Sequence, residues 1–147
     1  MIRTRALFLA VSLGLFPALY PALYPAGSGW AYDARHLERL METGHCEHCD
    51  LDHADLEGHV LADAILLSAS LLQANLARAD LRGANLDRAD LRGARLMEAN
   101  LGGAKLNMSD LRGASLNDAN LNDVGLRRAD LRTASLNRAT LAGANLR

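Results

Sequence analysis

The sequence predicts an all-β solenoid, because its leucines recur with a period that neither a straight helix nor a straight strand accommodates. Leucine occupies every fifth position from Leu51 to Leu146, which makes twenty leucines without an exception. Alanine stands two residues before the leucine in sixteen of the twenty cases. The four departures at this position are Cys49, His59, Ser109 and Val124.

A period of five residues excludes both regular elements as a way to bury these leucines. In a straight α-helix each five-residue step rotates the side chain by roughly 140°, which spreads the leucines around the whole cylinder. In a straight strand, successive leucines would point to opposite sides because five is odd. The backbone must therefore turn once per pentad, so that each alanine and leucine point into one interior. A short fixed period of this kind is typical of a solenoid.

The repeats resemble the A(D/N)LXX unit of the pentapeptide-repeat family, as in residues 79–83 (Ala-Asp-Leu-Arg-Gly) and 84–88 (Ala-Asn-Leu-Asp-Arg). The resemblance covers residues 49–147. It implies a right-handed quadrilateral parallel β-helix with twenty residues per turn, and therefore about five coils. One feature of the sequence agrees with this turn length. Asp-Leu-Arg recurs at residues 90–92, 110–112 and 130–132, a spacing of twenty that would stack identical triplets on one side.

Residues 1–31 are predicted to be a signal peptide, because two arginines precede the apolar run 6–16 and a proline-rich segment follows it. Gly29 and Ala31 supply small residues at the minus-three and minus-one places, so we expect cleavage after Ala31, with Gly29 as the alternative. This leader predicts a periplasmic or secreted protein. An uncleaved N-terminal membrane anchor is the alternative, because residues 6–26 are just long enough to cross a bilayer. Their three prolines suit an unsupported span poorly.

A short amphipathic α-helix is predicted over residues 33–43, with Asp33 as its N-cap and Gly44 as its stop. Its apolar face would carry Leu37, Leu40 and Met41. Such a helix would cover the first coil, which otherwise exposes its leucine core and an unpaired strand edge. The last coil has no such lid in the sequence. We therefore expect its end to pair with a second copy, meet a partner or fray.

Three segments follow from these features. Residues 1–31 form the signal peptide, residues 32–48 the N-terminal capping helix and the start of a Cys-x-x-Cys motif, and residues 49–147 the pentapeptide-repeat β-helix.

Two cysteines and three histidines lie close together within residues 45–53. In the repeat register, Cys46 falls on a leucine position and Cys49 on an alanine position, so both should point inward at the first corner. A Cys-x-x-Cys followed by Asp-Leu also resembles the start of the coil in many members of the family. We interpret the two cysteines as structural, either as a disulfide of an exported protein or as packed thiols.

Metal or redox handling by residues 45–53 is the alternative interpretation. Zinc accepts cysteine and histidine ligands, but a Cys-x-x-Cys normally needs a second ligand pair at a distance. The c-type haem pattern is absent, because Asp50 stands where a histidine is required. A redox-active pair lacks a thioredoxin-like βαβ context. We therefore predict no cofactor and no metal.

One stretch of outward positions is apolar instead of polar. It consists of Val60, Ile65, Leu67 and Leu72. These residues would form an apolar patch near the lidded end, which either the N-terminal segment of the chain covers or a docking partner or second copy contacts.

The near-neutral net charge of the repeats argues against one activity that the resemblance to this family implies. Some pentapeptide-repeat proteins resemble a DNA rod and protect DNA gyrase from quinolones, which requires a strongly acidic surface and residence in the cytoplasm. Residues 49–147 contain thirteen Asp and Glu against twelve Arg and Lys. We expect the aspartates of the repeated Asp-Leu-Arg triplets to pair with their arginines. Positive charge is also too dilute to predict nucleic-acid binding.

Catalysis has no pattern in this sequence to support it. The repeats contain two histidines, His53 and His59, both near the lid, and a filled solenoid offers no obvious pocket. His59 replaces an inward alanine and is expected to mark a bulged first coil. The sequence therefore predicts an exported structural or protein-interaction scaffold without enzyme activity. Its partner is an unknown protein or a second copy, with no nucleic acid, and with a membrane only if the leader stays uncleaved.

Overall fold

The computed structural model describes residues 32–147, so the predicted leader lies outside the described residues. The first described element is helix α1, which spans Ala34–Thr43. The carboxylate of Asp33 caps it by accepting a hydrogen bond from the backbone N–H of Arg35 at 3.0 Å. Gly44 ends it with a φ of 70° and donates its N–H to the carbonyl of Leu40 at 2.9 Å. The predicted helix and both of its caps are confirmed. No helix within residues 32–147 has the length and apolarity to span a bilayer.

Beyond α1, the chain winds into five coils of twenty residues. Single parallel bridges join residues twenty positions apart, from His45 with Ile65 to Gly125 with Asn145. In each bridge one residue forms hydrogen bonds to the two residues that flank its bridge partner. The N–H of Ser70 donates to the carbonyl of Cys49 at 2.8 Å, and the carbonyl of Ser70 accepts from Leu51 at 2.8 Å. Only one residue per pentad is extended in this way, so the described coils contain isolated bridges instead of strands of several residues.

Every pentad closes with the same turn. The N–H of the alanine position donates to the carbonyl of the preceding leucine position, as from Ala84 to Leu81 at 3.1 Å. The residue just before the alanine position has a φ between 55° and 74° in all twenty pentads, and in fourteen of them it is not glycine. A positive φ at the third residue is the requirement of a type II turn. The chain accepts this strained conformation repeatedly, because it directs the next alanine and leucine back into the interior.

The leucines fill the axis of the solenoid. The sixteen leucines from Leu51 to Leu126 are each at most 4% exposed, and the residues at the alanine position beside them, except His59, are nearly as buried. In the last coil Leu131, Leu136 and Leu141 are half-buried, and Leu146 is 60% exposed. The difference follows from stacking, because no described coil covers the last one.

The first coil is regular at His59, so the bulge expected there is wrong. Val60 still bridges Asp80, and the N–H of Asp80 donates to the carbonyl of His59 at 2.9 Å. No described coil lies beneath the first one, so the imidazole has room and is only partly buried. Ser109 replaces an alanine in the middle of the stack. It stays buried because its hydroxyl donates to the carbonyl of Leu106 at 2.7 Å.

The four bridges and four turns of each coil give the solenoid four sides. We number them in chain order by the leucines of the third coil, so that side 1 carries Leu91, side 2 Leu96, side 3 Leu101 and side 4 Leu106. Residues twenty apart occupy the same place on a side, one coil further along. Patterns of function must therefore be sought at a spacing of twenty.

Candidate interaction surface

Side 1 carries a ladder of ion pairs. Its members are Asp90, Arg92, Asp110, Arg112, Asp130 and Arg132. Arg112 binds Asp110 with two donors, Nε at 2.8 Å and Nη2 at 2.6 Å. Its Nε also lies 3.7 Å from the Oδ2 of Asp130 in the next coil. The pairing predicted from the repeated Asp-Leu-Arg triplets is confirmed, and it connects successive coils as well as residues of one pentad.

The ladder holds its carboxylates ionised. The hydrogen bond from the Arg132 side chain is the main cause that lowers the pKa of Asp130 to about 2. The pKa of Asp110 is lowered in the same way, first by the hydrogen bond from Arg112. Each carboxylate of the ladder is therefore matched by a guanidinium, so the ladder does not present the unpaired negative charge of a nucleic-acid backbone.

Cys46 and Cys49 are joined in a disulfide, with an S–S distance of 2.11 Å and a Cα–Cα distance of 5.3 Å. Both are buried, Cys46 at the leucine position of one pentad and Cys49 at the alanine position of the next. The two sulfurs are bonded to each other, so neither is a thiolate ligand in this structure. Within residues 32–147, no three His, Cys, Asp or Glu side chains come together in a way that could hold a metal ion.

The structure spreads the four apolar residues singled out in the sequence over three sides. Val60 lies on side 3 and is 68% exposed. Ile65 and Leu67 flank the same inward leucine on side 4, and Leu72 lies around the next corner on side 1. These last three are half-buried. Ile65 and Leu67 thus form the centre of the apolar patch, and Val60 stands apart from them.

The sequence reasoning missed a cluster of cations on side 4. Of the twelve lysines and arginines in residues 45–147, six form no ion pair within the described chain, and five of these six lie on side 4 or at the corner that ends it. The five are Arg88, Lys105, Arg127, Arg128 and Arg147. The signal was available in the sequence, because residues 88 and 128, and residues 127 and 147, are separated by multiples of twenty. Counting charge over the whole chain concealed it.

Comparison with known proteins places this geometry in a family. The chain belongs to the pentapeptide repeat family, whose model, described as pentapeptide repeats in eight copies, matches residues 45–82, 74–113, 94–132 and 114–147. No curated protein sequence matches the chain.

Solved structures of the same kind resemble the chain. A pentapeptide repeat protein from the Arabidopsis thaliana thylakoid lumen is 26% identical, with a TM-score of 0.52 over 82% of this chain and 70% of that one. A trypsin-treated form of QnrB1, a plasmid-mediated fluoroquinolone resistance protein, is 20% identical, with a TM-score of 0.51 over 68% of this chain and 61% of that one. A pentapeptide repeat protein from the cyanobacterium Cyanothece is 26% identical, with a TM-score of 0.49 over 77% and 98%. At 20% identity, the likeness to QnrB1 concerns the fold alone.

Proposed function

We propose that this protein is a right-handed quadrilateral β-helix that acts as an exported, non-enzymatic scaffold for protein interaction. One observation carries the proposal. The axis is filled by sixteen leucines that are at most 4% exposed, so the polar chemistry of the chain lies on the outside of the coils. A filled solenoid gives a rigid surface of regular spacing, which suits contact with another macromolecule better than enclosure of a small substrate.

Export is the part of this proposal that rests on residues 1–31, which lie outside the described residues. The disulfide between Cys46 and Cys49 supports it, because disulfides persist in oxidising compartments and are rare in the cytosol. The similar Arabidopsis protein supports it too, because that protein resides in the thylakoid lumen, which is not a cytosolic compartment. We propose a periplasmic or secreted location, with N-terminal membrane anchoring as the alternative.

The apolar patch around Ile65 and Leu67 is the proposed protein-docking surface, with Leu72 and Val60 at its margins. The test combines Leu67→Asp with Leu72→Asp and compares this variant with Met97→Asp, a change at a half-buried outward position on side 2. Cross-linking in the envelope fraction should recover one partner with the wild type and with Met97→Asp. It should not recover that partner with the double variant, which should remain a folded monomer by circular dichroism and gel filtration. Unfolding of the double variant alone would show that the chain itself covers the patch and would reject the docking role.

The two alternative functions are tested separately. Metal analysis of the purified protein, with thiols counted before and after reduction, should give no bound metal and two thiols only after reduction. Stoichiometric metal with free thiols would replace the scaffold by a metal-handling role for residues 45–53. A DNA-mimic role requires protection in a gyrase supercoiling assay. We expect none, because the aspartates of the side 1 ladder are paired with arginines and the chain has a net charge of −1.

A further inference from the structure

The unpaired cations of side 4 point to a second surface that the scaffold role does not use. Lys105 stands on the bridge position between Asn85 and Gly125, and Arg127 and Arg147 follow each other at one place in successive coils. All five cations are exposed. In residues 45–147, every other arginine except Arg95 is bound to a carboxylate. Free positive charge is therefore concentrated on one side of the solenoid.

Negative charge does not cancel this cluster. Asp87 is the one carboxylate of side 4 beyond the first coil, and its Oδ1 accepts hydrogen bonds from the backbone and side chain of Asn107 at 2.8 and 2.9 Å. Glu47, at the N-terminal end of the same side, lies 3.8 Å from Arg39 of α1. Five cations against Asp87 leave a formal side-chain charge of +4 on side 4 and the corner that ends it in the second to fifth coils, with Asp123 at the corner that begins the side.

An exposed apolar side chain lies within the cluster. Met108 is 45% exposed and occupies the corner after side 4, in line with Arg88 one coil below and Arg128 one coil above. The three residues share the same left-handed turn conformation, with φ of 60°, 59° and 60° for Arg88, Met108 and Arg128. Their side chains therefore leave the backbone from equivalent places, which puts a thioether between two guanidinium groups.

The shape of side 4 selects among anionic partners. Coils stack about 4.8 Å apart, so the outward side chains rise from one nearly flat surface. A planar partner can follow the cations over four successive coils, whereas a convex nucleic-acid duplex that crosses the side meets fewer of them. A single-stranded nucleic acid is bound on aromatic platforms, and residues 33–147 contain no Phe, Tyr or Trp. A protein interface is enriched in aromatic side chains, and the absence of any from residues 33–147 leaves side 4 without such anchors.

We propose that side 4 is a docking surface for an anionic phospholipid bilayer, with the five cations facing the headgroups and Met108 entering the interface. The proposal goes beyond the scaffold role and is independent of the leader. It orients the solenoid with its axis parallel to the membrane. The apolar residues Ile65 and Leu67 lie on the same side near α1, so binding of lipid and binding of a protein partner would occur at opposite ends of that side.

The test measures how the purified protein partitions onto lipid vesicles. The protein is purified from the cell fraction in which it accumulates. One set contains phosphatidylcholine alone and the other phosphatidylcholine with 30% phosphatidylglycerol. We expect preference for the anionic vesicles at low salt and its loss at high salt. Any contribution of the leader, which carries Arg3 and Arg5, is the same in the wild type and in the variants of side 4. Replacing Arg127, Arg128 and Arg147 by Gln should weaken the anionic partition about 100-fold, since each cation near the surface contributes about fivefold.

Single substitutions provide a matched comparison. Arg127→Gln should weaken binding about fivefold, whereas Arg95→Gln removes an equally unpaired cation from side 2 and should leave binding unchanged. Met108→Ser should weaken binding without altering its salt dependence. Equal binding of the triple variant and the wild type, or equal binding to both sets of vesicles, would overturn the proposal. An uncharged double variant, Leu67→Ser with Leu72→Ser, should bind vesicles normally, which separates this surface from the protein-docking patch.

Discussion

The imidazole Nδ1 of His36 accepts a hydrogen bond from the backbone N–H of Asp50 at 3.0 Å. Within the stack, the corresponding N–H groups donate to a carbonyl of the coil below, as Ser70 does to Cys49. Asp50 has no such coil beneath it in the described chain, and a side chain of α1 takes the place of the missing carbonyl. Helix α1 thus satisfies an edge of the solenoid as well as covering its leucines.

Replacement of His36 by Ala should lower the free energy of unfolding by about 1 kcal/mol, because one backbone donor loses its partner. Amide hydrogen exchange at Asp50 should become faster in the same variant. His45→Ala is the control, since the imidazole of His45 is exposed and its backbone supplies the contacts seen at this position. Unchanged exchange at Asp50 would show that α1 does not protect this edge.

The ladder on side 1 predicts a pH dependence with a definite sign. The folded-state pKa of Asp130 is about 2, below the value of roughly 3.9 expected for an unfolded chain. The stabilising effect of the pair is therefore complete above about pH 4 and is lost as the pH falls through about 2. Carboxyl carbon shifts should titrate with a midpoint near 2. In Arg132→Gln the midpoint should rise toward the unfolded value, whereas Arg138→Gln, which removes the partner of Asp118 on side 2, should leave Asp130 unaffected.

Thr133 is the one β-branched residue among the fourteen non-glycine residues at the strained turn position, with a φ of 60°. Thr133→Gly should raise the free energy of unfolding by about 0.5–1 kcal/mol, because relief of the left-handed strain exceeds the entropy that glycine adds to the unfolded chain. Gly113 occupies the same corner one coil below, so Gly113→Thr is the reverse change and should destabilise the fold. Urea denaturation measures both. Opposite signs are required, and equal signs would contradict the strain argument.

Leucine-to-alanine substitutions should have a graded cost along the axis. Leu96 is fully buried, so Leu96→Ala should lower the free energy of unfolding by about 2–5 kcal/mol. Leu131 is half-buried, so Leu131→Ala should lower the free energy of unfolding by less than Leu96→Ala does. Leu146 is 60% exposed, and its replacement should change stability by less than about 0.5 kcal/mol. A uniform cost at the three positions would mean that the last coil is as well covered in solution as the middle ones.

The sequence predicts the fold well, because one local rule is repeated twenty times. Leucine spacing specifies the interior, and Asp33 and Gly44 specify the ends of α1 through capping chemistry that acts over a few residues. The hydrogen bond from the N–H of Asp50 to His36 was not predictable, because it depends on where α1 docks against the first coil. His59 was misjudged for a related reason, since a large inward residue is tolerated at an end of the stack.

The surface was harder to predict than the core, because neighbours on a side are twenty residues apart. The repeated Asp-Leu-Arg triplets revealed the ladder through their identity. The cations of side 4 are not identical triplets, and they differ in their places within the pentad. Arg127 and Arg128 belong to one repeat, whereas Lys105 and Arg147 come from the coils before and after it. Only the stacking register brings them together.

The difference between these two periods limits how such a chain can change in length. Deletion of one pentad leaves every later leucine on the axis, so the interior is preserved. Every later outward residue, however, is rotated by a quarter turn onto the adjacent side. Deletion of a pentad between Asp90 and Asp110 would separate the rungs at Asp110 and Asp130 from Asp90, and deletion of one between Asn107 and Arg127 would take Arg127 out of the line of Asn107. Outward side chains that are aligned between coils therefore stay aligned only when whole coils of twenty residues are gained or lost. The leucine core, in contrast, tolerates the gain or loss of a single pentad.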